Sequence, residues 1–482
     1  MEIYEFPYSK VPQNAEILIY GAGNVGQAYL YQLSLTKYCH VVCMIDKNFV
    51  MYQSLPVKVL DCETAIKEKF DYIVIANAAE DIAGKIVLSL LDNYNIPREK
   101  IVYEIKCMEP IRTVRGDESS IINSYLDRVA FSKPNSYPIA IHLEGGYGDY
   151  ICRKNNVEEV SEWDEKVLID LYVGKGKLNF AKNLFSDIKN INIIADEDVV
   201  YYATKDKYIA AFRFTAFLIL DYCNDVLLNE LPVDFKKTLS TIKKSYEMYG
   251  LDEAGIQFAI HYARCQKDKL NCYTAYNRYG FNVLESKTKI PLQEHHEIDF
   301  HKLALGAYIT INYGWGSDKN IIPSKVWPIN YLSDLAKKIS IDFPEINIVQ
   351  IGLKDSPLID GCIHVIDKDI EIIKYVLLHS KLHIDCEGGM VHLATQLGTK
   401  CAVLFGPTPK EYYGYDCNIN IDAGVCSNCY WFVNDCISCY RKLEQPECMY
   451  KLLPEYVMEC ISGELNKICR GSFPNAGFLE EK

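Results

Sequence analysis

Three groups of residues in this chain have types and spacing that could do chemistry. Glu387-Gly388-Gly389-Met390-Val391-His392 sets an acid, a glycine pair and an imidazole at what reads as a strand-to-helix turn. Glycines there let a ligand approach the backbone, and the free N–H groups of a helix start favour a phosphate or diphosphate. Cys426-x2-Cys429-x6-Cys436-x2-Cys439-x8-Cys448 carries two C-x-x-C pairs, a spacing that can bring four thiolates around a tetrahedral zinc or iron ion. With five cysteines for four positions, the spare one is left open. Gly21-x-Gly23-x-x-Gly26 followed by Asp46 has the form of a dinucleotide fingerprint, with the acid placed for a ribose. A fingerprint alone is a weak signal, so a ligand-free structural or docking role weighs about equally.

These groups need strands and helices to hold them. Ile17–Tyr20, HVVCMID ending at Asp46 and DYIVIANAA from Asp71 alternate with helical stretches, which predicts a small parallel sheet. Lys133-Pro134-Asn135-Ser136-Tyr137-Pro138 is a turn-rich breaker, and a strand from Pro138 opens a second α/β region that reads as helical through residues 205–265. A third region repeats strand and helix: AYITINYG from Ala307, INIVQIGL from Ile346, KLHIDCE from Lys381 and CAVLFGP from Cys401. Leu332, Leu335, Ala336 and Ile339 recur at helical spacing and predict a helix with one apolar face against that sheet.

The chain has 482 residues, enough for two to four domains, and a formal net charge of −13. That balance disfavours nucleic acid and broad adhesion to anionic membranes, which need clustered Lys and Arg. The opening MEIYEFPYSK lacks the basic stretch and apolar core of a secretory leader, and the most apolar segment, Tyr208–Leu220, is too short for a span and is broken by Arg213. A cytoplasmic location is expected, with peripheral contact at the inner face of the membrane left open. The 19 cysteines are then thiols or metal ligands rather than disulfides.

The third region resembles glycosyltransferase family 9, the family of the lipopolysaccharide heptosyltransferases. Its D-S/T-G-x-x-H-x-A motif is matched by Glu387-Gly388-Gly389-Met390-Val391-His392-Leu393-Ala394, with Glu for the usual Asp and Gly388 for the hydroxyl residue. Its F-G-P-T run is matched by Phe405-Gly406-Pro407-Thr408. Asn312-Tyr-Gly314-Trp-Gly316 and Lys325-Val-Trp327-Pro328 match the family's upstream loop and its Lys before Trp-Pro, while Leu143-Glu-Gly145-Gly146-Tyr-Gly148-Asp149 matches the Gly-Asp turn of the other half. The resemblance implies a donor site of Asn312, Lys325, Glu387, Gly388, Gly389, His392 and Thr408, with Lys325 on the diphosphate. It also implies Asp149 as the base that deprotonates an acceptor hydroxyl. Taken alone, an Asp after glycines is a turn residue or helix cap. Cys448-Met449 fits the cysteine-finger branch of the family, the heptosyltransferases that modify autotransporter proteins and carry iron.

The expected fold is therefore α/β: a GT-B glycosyltransferase, with two Rossmann-like domains facing a cleft, preceded by a small Rossmann-like domain. The expected boundaries are 1–112, a linker 113–136, an acceptor domain 137–302, a donor domain 303–470 with the finger at 426–448, and a tail 471–482. The resemblance implies inverting transfer from an ADP-heptose-like nucleotide sugar to a glycan, lipid-linked glycan or protein hydroxyl, with zinc or iron on the finger and no catalytic metal. NAD or another nucleotide at the first domain and homo-oligomerisation are left open. The competing readings are an NAD-dependent nucleotide-sugar oxidoreductase or epimerase driven by the first domain, and a non-enzymatic glycan-binding protein of transferase ancestry.

Overall fold

The computed structural model describes residues 3–108, 130, 133, 135–195, 199–251, 255–314, 324–426, 428–430 and 438–470. Most of the linker 113–136, the tail 471–482, Gly316 and Cys436 lie outside the described residues. The chain divides into two compact units, Met1–Arg112 with Asp252–Asp268, and Thr113–Leu251 with Lys269–Lys482.

In the first unit the short apolar runs become the strands of a parallel sheet because they are buried on both faces. The strands are β2 (Glu16–Tyr20), β3 (His40–Ile45), β4 (Val59–Leu60), β5 (Tyr72–Ile75) and β6 (Ile101–Val102), in the order β4-β3-β2-β5-β6. That order reverses between β2 and β5, the place where a doubly wound sheet opens a crevice at its strand ends. β1 (Ile3–Glu5) and β7 (Lys106–Met108) pair antiparallel beside it. Helices α1 (Asn24–Thr36) and α2 (Glu80–Asp92) follow β2 and β5. The helix Gly255–Asp268, far along the chain, also belongs to this unit and packs on α1.

The second unit contains two more sheets. One joins β8 (Tyr137–Leu143), β9 (Val167–Val173), β10 (Ile191–Ala195), β11 (Ala210–Phe214) and β12 (Leu218–Cys223) in the order β10-β9-β8-β11-β12, with α3 (Tyr147–Ser161) after β8. β11 and β12 form an antiparallel pair where the sequence pattern predicted helix. β11 is buried along its whole length and β12 at its first two residues, so the run shows no period-2 alternation, and no Gly or Pro marks the turn.

The other sheet has six strands: β13 (Tyr308–Asn312), β14 (Asn347–Gly352), β15 (Ile363–Ile366), β16 (His383–Cys386), β17 (Cys401–Phe405) and β18 (Ile419–Asp422). Their order is β15-β14-β13-β16-β17-β18, all parallel. Around it lie α4 (Ile329–Asp342), α5 (Ile370–His379), α6 (Gly389–Gln396) and α7 (Pro454–Cys469). Leu332, Leu335, Ala336 and Ile339 of α4 are buried in one core with Trp327 and with Val457, Ile461 and Leu465 of α7. Each large aliphatic side chain buried this way contributes roughly 1.5–3 kcal/mol. α3 of one sheet's half meets α6 of the other's where their N-termini converge.

A buried polar cluster ties the two halves of this unit. Lys374 on α5, fully buried, binds Glu371 at 2.8 Å, Asn183 Oδ1 at 3.1 Å and the Pro291 carbonyl at 3.2 Å, while Asn183 Nδ2 donates to Glu371 at 2.7 Å. Among the described residues no helix is long and apolar enough to cross a membrane.

Candidate functional site

The strand order of the second unit's six-stranded sheet reverses between β13 and β16, and the residues at those strand ends are Asn312 and Asp385-Cys386-Glu387. Asn312 Nδ2 donates to Asp385 Oδ2 at 2.8 Å, and Asp385 Oδ1, also buried, finds no hydrogen-bond partner among the described residues. Gly388 leads into α6 in an extended backbone, and α6 begins at Gly389. Free helix N–H groups therefore open onto the end of the sheet, the arrangement that holds anions.

α3 presents a second helix N-terminus to the same place. Its first turn is closed by Asp149, whose Oδ2 accepts the Gly146 N–H at 2.7 Å, so the helix-cap role foreseen for an Asp behind glycines is present. Gly145 is required: it has φ +96°, and a Cβ there would sit 2.3 Å from Asp149 Oδ2. Burial pushes the Asp149 carboxyl upward, opposed by the Gly146 N–H and by the positive groups His392, Arg153 and Lys325. The helices touch through glycines. A Cβ on Gly148 would lie 2.9 Å from His392 Cδ2 and 3.1 Å from Gly389 Cα.

Lys325 and Glu387 complete the cluster. Lys325 Nζ is 3.7 Å from Glu387 Oε2 and lies over the Tyr430 ring at 5.2 Å. Burial pulls the Lys325 ammonium down, yet Glu387, Tyr430 and Asp149 outweigh it and hold the proton more tightly than usual. His392 is buried. Its Nε2 faces Glu387 Oε1 at 3.9 Å, and its Nδ1 faces the Tyr415 hydroxyl at 2.5 Å and Cys152 Sγ at 3.8 Å. Burial lowers the imidazole's proton affinity, but Cys152, Glu387 and Asp149 more than reverse this. Thr408 is buried with a hydroxyl that has no partner among the described residues.

The structure thus brings Asp149, Lys325, Glu387, Gly388, Gly389 and His392 together, with Asn312 tied to the same sheet ends through Asp385. Asp385, Cys152, Cys272, Tyr415 and Tyr430 also border the cluster, and the sequence pattern did not single them out. Asp385 was findable as a second acid at the same strand end. The other four come from distant segments and have no local signature.

The cysteine finger lies under the Gly406–Thr408 loop. A Cβ on Gly406 would meet Met449 Sδ at 2.3 Å and Cys448 Sγ at 3.5 Å, and the Tyr430 N–H donates to the Pro407 carbonyl at 3.0 Å. Cys426, Cys429, Cys439 and Cys448 are free thiols; burial beside Cys439 and Cys426 pushes Cys429 up to about 12, and burial beside Cys426, Cys429 and Cys439 pushes Cys448 up as well. Four mutually neighbouring thiols suit a soft, tetrahedral ion. Among the described residues, however, the group whose ligand atoms all lie within 4.8 Å of one another is a different one: Cys152, Cys272 and His392.

In the first unit the glycines have distinct roles. Gly21 has φ +120°, and a Cβ there would sit 2.6 Å from the Ala76 carbonyl oxygen; one on Gly26 would sit 1.8 Å from the Gly21 carbonyl oxygen. Nothing lies within 4 Å of a Cβ on Gly23, so the turn is open at that point. Asp46 is occupied by the backbone: Oδ2 accepts Ala22 N–H at 2.9 Å and Oδ1 accepts Asn48 N–H at 2.8 Å.

A family model described as C2185-like, N-terminal, matches residues 13–102. Comparison with curated proteins finds no match. Among solved structures, the chain is similar to the glycosyl transferase family 9 protein from Veillonella parvula, with 11% identity over 70% of this chain and 99% of that one and a TM-score of 0.40. It is similar to the iron-containing dodecameric glycosyltransferase TibC from enterotoxigenic E. coli, with 13% identity over 70% of this chain and 80% of that one and a TM-score of 0.43. It is also similar to the E. coli ADP-heptose lps heptosyltransferase II, with 10% identity over 68% of this chain and 99% of that one and a TM-score of 0.39. Likeness at these scores is too loose to transfer roles between residues.

Proposed function

We propose that the second unit is an inverting glycosyltransferase that moves a sugar, an ADP-linked heptose or a related nucleotide-activated sugar, onto a hydroxyl of a surface glycan or protein. The observation that carries this reading is the convergence of two helix N-termini, a protonated lysine and a desolvated carboxylate at one sheet end. The reading uses residues 137–302 as the acceptor half, less the stretch Asp252–Asp268 that belongs to the first unit, and 303–470 as the donor half, with 1–112 as an added domain. Its first-unit fingerprint is either a nucleotide site or a docking module.

The chemistry follows from the groups present. The N–H groups at Gly388 and Gly389 and the Lys325 ammonium receive the diphosphate, whose negative charge grows as the glycosidic bond breaks. Donors fixed in advance stabilise that change without reorganising. Glu387 holds Lys325 in place and offers its other oxygen to sugar hydroxyls, and Asn312 and Thr408 supply further polar contacts. Asp149 takes the acceptor hydroxyl's proton as its oxygen attacks the anomeric carbon from the opposite face. A nucleoside diphosphate leaves without needing an acid, so one base suffices. Cys426, Cys429, Cys436, Cys439 and Cys448 would supply the thiolates for a structural zinc or iron ion beside the loop that carries Thr408.

The test is a mass-spectrometric screen of nucleotide sugars for transfer to cell-envelope extracts and for slow donor hydrolysis, comparing wild type with Asp149→Asn. The expected result is turnover with one donor, lost in the variant. Equal turnover in both proteins would refute the assignment of Asp149.

A further inference from the structure

Cys152 lies one turn beyond Asp149 on α3, and Cys272 comes from a segment 120 residues later in the chain. Their sulfurs are 3.7 Å apart, and His392 Nδ1, from the other half of the unit, is 3.8 Å from Cys152 Sγ. All three side chains are buried, and their ligand atoms lie within 4.8 Å of one another. For a tetrahedral ion with metal–sulfur bonds of about 2.3 Å, two sulfur ligands stand about 3.8 Å apart, and a sulfur and a nitrogen slightly closer. The two distances from Cys152, 3.7 Å to Cys272 and 3.8 Å to His392, lie close to that figure before any ion is considered, and the third pair is within 4.8 Å. Two thiols and an imidazole are also the donor set a borderline-soft d10 ion prefers.

A second observation concerns the far side of the ring. Nε2 of His392 lies 3.9 Å from Oε1 of Glu387, near the carboxylate but beyond a direct hydrogen bond. Metal-bound histidines usually offer their other ring nitrogen to a carboxylate, which fixes the tautomer and raises ligand basicity. Here that carboxylate belongs to the proposed donor site.

We propose that Cys152, Cys272 and His392 form a zinc site that staples the acceptor half to the donor half and fixes the Nε2–H of His392 toward Glu387. The Tyr415 hydroxyl now reaches His392 Nδ1, the nitrogen the ion would take, so uptake breaks that hydrogen bond. Binding exchanges two thiol protons for one divalent ion, so uptake releases two protons and weakens as pH falls. The site is separate from the cysteine finger and acts by positioning; it touches no reacting atom. It holds whether or not the unit transfers sugars, because metal uptake is read without activity.

The test is a zinc titration, against a chromogenic chelator, of the full chain freed of metal, with cobalt as a spectroscopic substitute. A chain carrying Cys429→Ser and Cys439→Ser, which disables the finger, should still take up one equivalent and show the absorption of tetrahedral cobalt bound to thiolate. Adding Cys152→Ser or Cys272→Ser should abolish both, while Cys417→Ser, at an exposed thiol, should change neither. If the finger variant does not fold, the same subtraction in the otherwise native chain keeps the test open: Cys152→Ser and Cys272→Ser must each cost one equivalent. Equal uptake with and without these two cysteines overturns the proposal. So does peptide mass spectrometry showing Cys152 disulfide-bonded to Cys272 in the purified protein.

Discussion

Substituting Gly148→Ala puts one methyl group where α3 meets α6. The new Cβ would stand 2.9 Å from His392 Cδ2 and 3.1 Å from the Gly389 Cα, against a comfortable carbon–carbon separation of roughly 3.5–4.0 Å. Neither neighbour yields easily. His392 is buried between Tyr415, Cys152 and Glu387, and Gly389 is backbone at the start of α6. The helices must therefore part by roughly 0.5–1 Å, an overpacking that costs about 1–3 kcal/mol. Alanine returns up to about 1 kcal/mol of helix propensity, leaving a net loss of roughly 0–2 kcal/mol and a small change in Tm. Turnover should suffer far more, because a misplacement near 1 Å between donor and base costs on the order of 10²-fold. The assay pairs steady-state transfer with thermal unfolding for Gly148→Ala and for Gly463→Ala, a glycine in α7 with nothing within 4 Å of its Cβ position. The control should gain about 0.5–1 kcal/mol of stability and keep full turnover. Wild-type turnover in Gly148→Ala would show that the helices do not cross this closely in the working protein, and the geometry assigned to the site would fall with it.

Asp149→Asn should lower turnover by about 10²–10⁴-fold while leaving donor-induced thermal stabilisation in place. Because burial raises the Asp149 carboxyl above its unfolded value, its contribution to folding is fullest below the unfolded value and declines as pH rises through the folded one. Asp149→Asn should therefore gain stability relative to wild type as pH climbs past the ordinary carboxylate range, and a constant difference between pH 4 and 8 would contradict this. The acid limb of turnover should likewise lie above that range. Lys325→Ala removes the diphosphate cation and strands Glu387, so donor affinity measured by calorimetry should drop about 10–100-fold, the size of a lost charge-assisted contact. In the first unit, Gly26→Ala forces a Cβ onto the Gly21 carbonyl and should abolish that unit's unfolding transition, whereas Gly23→Ala should leave it intact; calorimetry of the two variants distinguishes them.

The parts of this molecule that were legible in the sequence are those whose physics is local. Leu332, Leu335, Ala336 and Ile339 recur every turn, and the helix they predict is buried on that face. The strand-end run Asp385-Cys386-Glu387 followed by two glycines announces a helix start, and the structure has α6 there. What was not legible depends on separation or on full burial. The β11–β12 hairpin hides in an apolar run without alternation, and the helix Gly255–Asp268 pairs with α1 across nearly half of the 482 positions. Asp46 fits the fingerprint spacing, yet its oxygens are on Ala22 and Asn48, a use of the acid that spacing cannot distinguish from ribose binding. Cys152, Cys272 and His392 come together only because α3, α6 and a segment far along the chain meet, so no motif records them.

The buried Lys374 cluster gives the contact between the two halves a threshold. Lys374 finds its acceptors partly on its own helix, at Glu371, and partly across the divide, at Asn183 and the Pro291 carbonyl. A gap too narrow to admit water would leave the ammonium short of partners in a poorly polar medium, a costly state, whereas a wider gap rehydrates it at once. Half-parted arrangements are thus the least favourable of all. Contact between the two halves is therefore favoured whole or not at all, an all-or-none seam rather than an elastic one.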